Sequence, residues 1–107
     1  MSRPPSPEVR PEPSFAGSVV LDIAGEVGAL VVHTSPEMAG WEIDLVPASR
    51  RECVVTHTAV RERRLGERPG WSAVYPSVLS GEWSLVAPDG GRRRVTVVGG
   101  RVNEMAW

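Results

Sequence analysis

The sequence predicts an all-β fold, an antiparallel sandwich of seven to eight strands behind a disordered N-terminal tail. Short runs rich in valine, tryptophan and threonine recur through residues 15–107, divided by glycine, proline and serine breaks. Runs of this kind, bounded by turn formers, are the pattern of a sandwich or barrel. Several of them alternate apolar and polar residues with a period of two, as strands covered on one face do. The longest break-free stretch, residues 48–65, contains Val54, Val55, Thr56, Thr58 and Val60, whose branched Cβ atoms favour strand over helix.

Residues 1–14 hold five of the chain's ten prolines, and only Met1 and Val9 are large and apolar. A segment of this kind buries too little surface to offset its ordering entropy, so a disordered tail is expected. It has no apolar signal region, and Glu8 and Glu12 are foreign to a transit peptide, which makes the cytoplasm the expected compartment. Residues 15–107 are then one domain.

Its candidate strands are 18–23, 29–34, 41–46, 54–64, 71–75, 82–87, 93–98 and 102–107. Residues 18–23 and 29–34 contain the runs Val19-Val20-Leu21 and Leu30-Val31-Val32, apolar on both sides. They predict strands buried on both faces, or a second face covered by a partner. Between 29–34 and 41–46, Ser35 and Pro36 suit the cap and first position of a short helical turn. In 41–46, Ile43 and Leu45 oppose Glu42 and Asp44. In 71–75, Trp71, Ala73 and Tyr75 share a face, and in 82–87 Trp83, Leu85 and Ala87 do the same. In 93–98, Val95 and Val97 oppose Arg94 and Thr96. Pro88-Asp89-Gly90-Gly91 and Gly99-Gly100 supply positive-φ positions for tight turns, which predicts the last three strands as a meander.

The net charge of −1, from 12 basic and 13 acidic side chains, argues against a nucleic-acid binder and against polybasic attachment to a membrane. No apolar stretch approaches the ~20 residues that span a bilayer. The single cysteine, Cys53, excludes an internal disulfide, so stability rests on the core, helped by oligomerisation. All 12 basic residues are arginine. GC-rich codons account for that, and so does selection for forked guanidinium contacts. No lysine is present for Schiff-base chemistry.

The histidines, His33 and His57, stand in no HxH or HExxH spacing and there is no CxxC, so no metal or other cofactor is expected. A metal would need a third ligand such as Asp22 or Glu26. A GxSxG elbow, a Walker-type loop and a GxGxxG loop are all missing, and no carboxylate pair is marked out; no catalytic residue is assigned and an enzyme is not expected. Read as one extended strand, residues 54–64 put His57, Ala59, Arg61 and Arg63 on one side. Such a row suits a phosphate, a carboxylate or an acidic partner strand. Solvated edge charges that deter aggregation are the plainer reading. Of four tryptophans, Trp41 and Trp107 are the candidates for exposure, as platforms for a sugar ring or as subunit contacts.

The stretch from Tyr75 to Leu85, with Tyr75, Leu79, Gly81, Glu82, Trp83 and Leu85 at its marked positions, resembles a pattern of prealbumin-like β-sandwich modules, among them carboxypeptidase regulatory-like domains and collagen-adhesin B-type repeats. The resemblance implies that Leu79 plugs the end of the sandwich, Gly81 makes the turn, and Trp83 and Leu85 re-enter the core. Through 17–23, 28–34, 57–64 and this element, residues 17–107 are also similar to a family of small stand-alone proteins of high-GC bacteria. That similarity implies fold and compartment, not mechanism.

The expected function is a non-enzymatic interaction or accessory module. Because no helix is predicted to cover a second apolar sheet face, the chain is expected to form a homo-oligomer, with Val20, Val31 and Trp107 in or near the contact. Another protein is the second candidate partner; nucleic acid and membrane are not expected. The alternative is a small-ligand-binding protein for an anion, a sugar or a metal, using the His57, Arg61 and Arg63 face or exposed tryptophans. With Trp83 between the sheets, Trp83→Ala costs about 3–5 kcal/mol in a chemical melt; a variant that melts like the wild type places Trp83 on the surface.

Overall fold

The computed structural model describes residues 23–49, 53–65 and 68–107. The expected tail and, apart from Ile23, the expected strand at 18–23 lie outside these residues. Eight strands form among the described residues: β1 (Val27–Thr34), β2 (Glu42–Pro47), β3 (Thr56–Ala59), β4 (Arg61–Leu65), β5 (Arg68–Leu79), β6 (Gly81–Val86), β7 (Arg92–Val97) and β8 (Val102–Ala106). They make two four-stranded sheets, ordered β4-β5-β1-β8 and β3-β2-β6-β7. Among the described residues the helical element is one 3-10 turn at Pro36–Met38; Pro36 starts it as predicted, but Ser35 makes no side-chain cap bond.

The period of two sorts the faces as the alternation predicts. Leu30, Val32, Ala73 and Tyr75 of the first sheet meet Ile43, Leu45, Trp83, Leu85 and Val97 of the second. Inside this core the Tyr75 hydroxyl donates to the Ile43 carbonyl at 2.6 Å. Burial first, and the charge of Asp44 second, push the Tyr75 hydroxyl pKa well above its ordinary value. The indole N–H of Trp83 donates to the Leu79 carbonyl at 2.9 Å, so the buried ring leaves no donor unpaired.

Three expectations are corrected. First, the C-terminal meander stops at β7. The β6–β7 hairpin forms, with Gly90 at φ +92° and Asp89 Oδ1 accepting the Gly91 N–H at 2.8 Å. But β8 crosses to the first sheet and lies parallel to β1, which makes that sheet mixed. Gly99 serves a close crossing between sheets: a Cβ there would collide with the backbone of Gly25 and Glu26, and one on Gly28 with the carbonyls of Val98 and Arg101. Asn103 ties the crossing down, donating to the carbonyls of Ala29, Val98 and Arg101 and accepting the Val98 N–H.

Second, β5 runs on through the break expected at Pro76. Gly28 pairs with Val78 and Leu30 with Tyr75, so β5 carries one residue more than β1 between these pairs. This bulge accommodates Pro76 within a strand. The extra residue reverses the facing beyond it. Val78 is buried and Leu79 is 61% exposed, so Val78, not Leu79, supplies the apolar side chain here.

Third, the stretch 54–64 is not one strand. It divides at Val60 into β3 of the second sheet and β4 of the first. Val60 is buried at this corner; its N–H donates to the Trp41 carbonyl and its carbonyl accepts the Gly40 N–H, both at 2.8 Å.

Tyr75 is the chain's one tyrosine. Tyr75→Phe removes this hydrogen bond and lowers stability by about 1 kcal/mol. Because the folded hydroxyl holds its proton more tightly, the unfolded chain releases it first as pH rises past ~10. Wild-type stability therefore falls there, and the variant lacks that part of the fall. Denaturant melts at about pH 8 and about pH 11 check this; the same pH dependence in both proteins would acquit Tyr75.

Candidate functional site

The outer face of the first sheet brings together polar groups from four strands. In register, Arg61 of the edge strand β4 lies beside Ser72 of β5, and Ser72 beside His33 of β1. Ala73 and Tyr75 point into the core, so this row faces away from it. Arg63, two residues along, points the same way. Its Nη1 donates to the Ser72 carbonyl and reaches the Ser72 hydroxyl at 3.4 Å. His33 Nε2 lies 2.7 Å from Glu104 Oε1 of β8. Burial first, and the neighbouring charge of Arg61 second, lower the pKa of Arg63. Neither Arg61 nor Arg63 has a carboxylate partner among the described residues. Glu62 cannot serve, because it registers with Trp71, whose ring packs against the core.

His57 is not part of this group. The corner at Val60 puts it in the second sheet, so the expected row through His57, Ala59, Arg61 and Arg63 is broken. His57 Nδ1 instead meets Glu42 Oε1 at 2.6 Å on an exposed surface. The histidine that shares a face with the arginines is His33. Alternation alone placed Ser72 opposite Ala73 and Tyr75, and the same count along β1 sets His33 opposite Val32. No local signal tied Glu104 to β1.

Val31 does not reach the surface. It is fully buried with Ala29 and Val74 in a second apolar cluster, against which Ile23 and Val102 pack. The doubly apolar run thus reflects cover within the subunit. Val20 lies outside the described residues. Trp107 is half-buried against the main core and engages both sheets. Its N–H donates to the His33 carbonyl at 2.8 Å, its carbonyl accepts from Arg93 Nε at 3.0 Å, and the Arg93 guanidinium stacks 4.9 Å from its ring centroid. Trp41 and Trp71 are half-buried against the same core.

Cys53 is exposed. Among the described residues no three His, Cys, Asp or Glu side chains converge, and no helix is long and apolar enough to cross a membrane.

The four sheet edges differ in charge. Edge strand β4 carries Arg61, Glu62, Arg63 and Arg64, and β7 carries Arg92, Arg93 and Arg94. β8 carries Glu104. β3 reads Thr56-His57-Thr58-Ala59, with no Arg, Asp or Glu, and is preceded by the half-exposed Val54 and Val55.

Comparison with protein-family models, curated proteins and solved structures finds no match.

A carboxylate at Val31 would sit in the second apolar cluster without a partner. Val31→Asp is therefore expected to unfold the subunit, at a cost on the order of 4 kcal/mol. Circular dichroism checks it; a folded variant that merely dissociates would return Val31 to an interface.

Proposed function

We propose that this protein is a non-enzymatic interaction module that associates by strand addition at β3, with a second copy of the chain as partner. The observation that carries this reading is the uneven protection of the sheet edges. An edge strand presents unpaired N–H and C=O groups, and arginine-rich edges such as β4 and β7 repel a pairing strand. β3 has no such guard, and its threonines suit strand pairing. The exposed Val54 and Val55 add apolar area beside it.

A second copy fits because antiparallel pairing of β3 with itself is two-fold and closes. Centred on His57, it sets Thr56 against Thr58 of the partner subunit, and cross-strand threonine pairs are favourable. The backbone supplies the affinity in this mode of recognition. The proposal takes the sandwich as prealbumin-like, on the strength of the Tyr75–Leu85 element, and its setting as cytoplasmic.

Val55→Lys puts a charge beside β3 at a position already half exposed. Light scattering is expected to find wild-type dimers at micromolar concentration and Val55→Lys monomers, with thermal midpoints unchanged relative to a dilute wild type. A wild type that stays monomeric at high concentration, or a variant that associates equally well, overturns the proposal.

A further inference from the structure

We infer that the outer face of the first sheet is a binding site for a small tetrahedral oxyanion of the phosphate class, held by Arg61, Arg63 and His33 over Ser72. The site lies in the other sheet from β3 and stands independently of strand addition there.

The register supplies the geometry. Arg61, Ser72 and His33 occupy one cross-strand row, and neighbouring strands are about 4.8 Å apart. Arg61 and His33 are therefore about 10 Å apart at the backbone, with the small Ser72 between them, a gap that a long arginine side chain spans. Arg63 has already folded over Ser72, held there through Nη1.

The charge balance supplies the reason. Two guanidiniums stand on one face, and Arg63 is half-buried. Like charges brought together and partly desolvated destabilise each other unless a counter-charge joins them. No carboxylate among the described residues does so. Glu62 registers with a core-facing residue, and Glu104 is engaged by His33. An oxyanion supplies the missing charge, and the guanidinium fork matches its oxygens.

His33 completes the donor set. With Nε2 directed at Glu104, the ring is oriented and Nδ1 becomes a donor when the imidazole is protonated. The three donor groups come from β4 and β1, on either side of β5, and approach from different sides, which suits the oxygens of a tetrahedral anion better than a planar carboxylate.

The full chain titrated with inorganic phosphate against chloride, at equal ionic strength and fixed pH, tests the site. Resonances of His33 and of the Arg61 and Arg63 side chains are expected to shift saturably, with His57 unmoved as an internal control. Arg61→Gln is expected to weaken binding about tenfold or more, as loss of a forked charge-assisted contact does. Arg61 is exposed, so the core resonances of Tyr75 should be unchanged and certify the fold. A parallel titration with glycerol phosphate separates a phosphate ester from free phosphate as the preferred form. Shifts that grow linearly without saturation, equal shifts at His57, or undiminished binding by Arg61→Gln overturn the inference.

Discussion

The arrangement of the two sheets depends on the hydrogen bond from Tyr75 to the Ile43 carbonyl. Apolar burial drives the sheets together but carries no direction, and valine, leucine and isoleucine faces tolerate sliding. A hydroxyl buried between the sheets does not. It must find an acceptor, and an unpaired one costs on the order of 1–3 kcal/mol. The contact at 2.6 Å joins β5 of the first sheet to β2 of the second. It thereby sets which residues of the two layers face each other. The bulge at Pro76 matters for the same reason. Without the extra residue, Tyr75 and Val78 would lie on opposite sides of an evenly alternating strand; with it, both are buried in one core.

A second constraint is the corner at Val60. Two backbone hydrogen bonds to Gly40 and Trp41 hold it, and its side chain is buried. Because the chain changes sheets there, a stretch contiguous in sequence is divided between two surfaces. His57 goes with Glu42 to the second sheet. Arg61 and Arg63 go to the first, where Arg61 shares a cross-strand row with Ser72 and His33. The corner also makes both halves edge strands, one charged and one not.

What could be read in advance follows the range of the interaction. Alternation in 41–46, 71–75 and 82–87 is local, and it identified Ile43, Leu45, Tyr75, Trp83 and Leu85 as core residues, all of which are buried. The sheet change at Val60 left no local mark, because both sides of it are extended and free of glycine and proline. The resemblance assigned Leu79 the plugging role that Val78 takes, because the bulge that turns Val78 inward leaves no mark in a local pattern. The parallel pairing of β8 with β1 joins residues more than seventy positions apart, as in His33 with Glu104, and no hairpin signal reports that. The doubly apolar run at Leu30–Val32 correctly announced burial on two faces, but not that the second cover lies within the subunit.

The two arginine clusters show why composition does not reveal role. On β7, Arg93 is committed to Trp107 through its stack and its bond to the carbonyl, and Arg94 lies 3.7 Å from Glu82. Glu82 is itself held by Thr96 at 2.7 Å. These arginines fasten the second sheet to Trp107 and to a neighbouring strand. On β4 the residue type is the same, but the surroundings are not. Arg63 leans on a neutral serine, Arg61 has no carboxylate partner among the described residues, and the intervening Glu62 belongs to the other face. A guanidinium stays charged at every physiological pH, so the excess on this face cannot be relieved by losing a proton. Among the described residues no carboxylate offsets it, and the Arg63 fork held over Ser72 leaves this face suited to an anion.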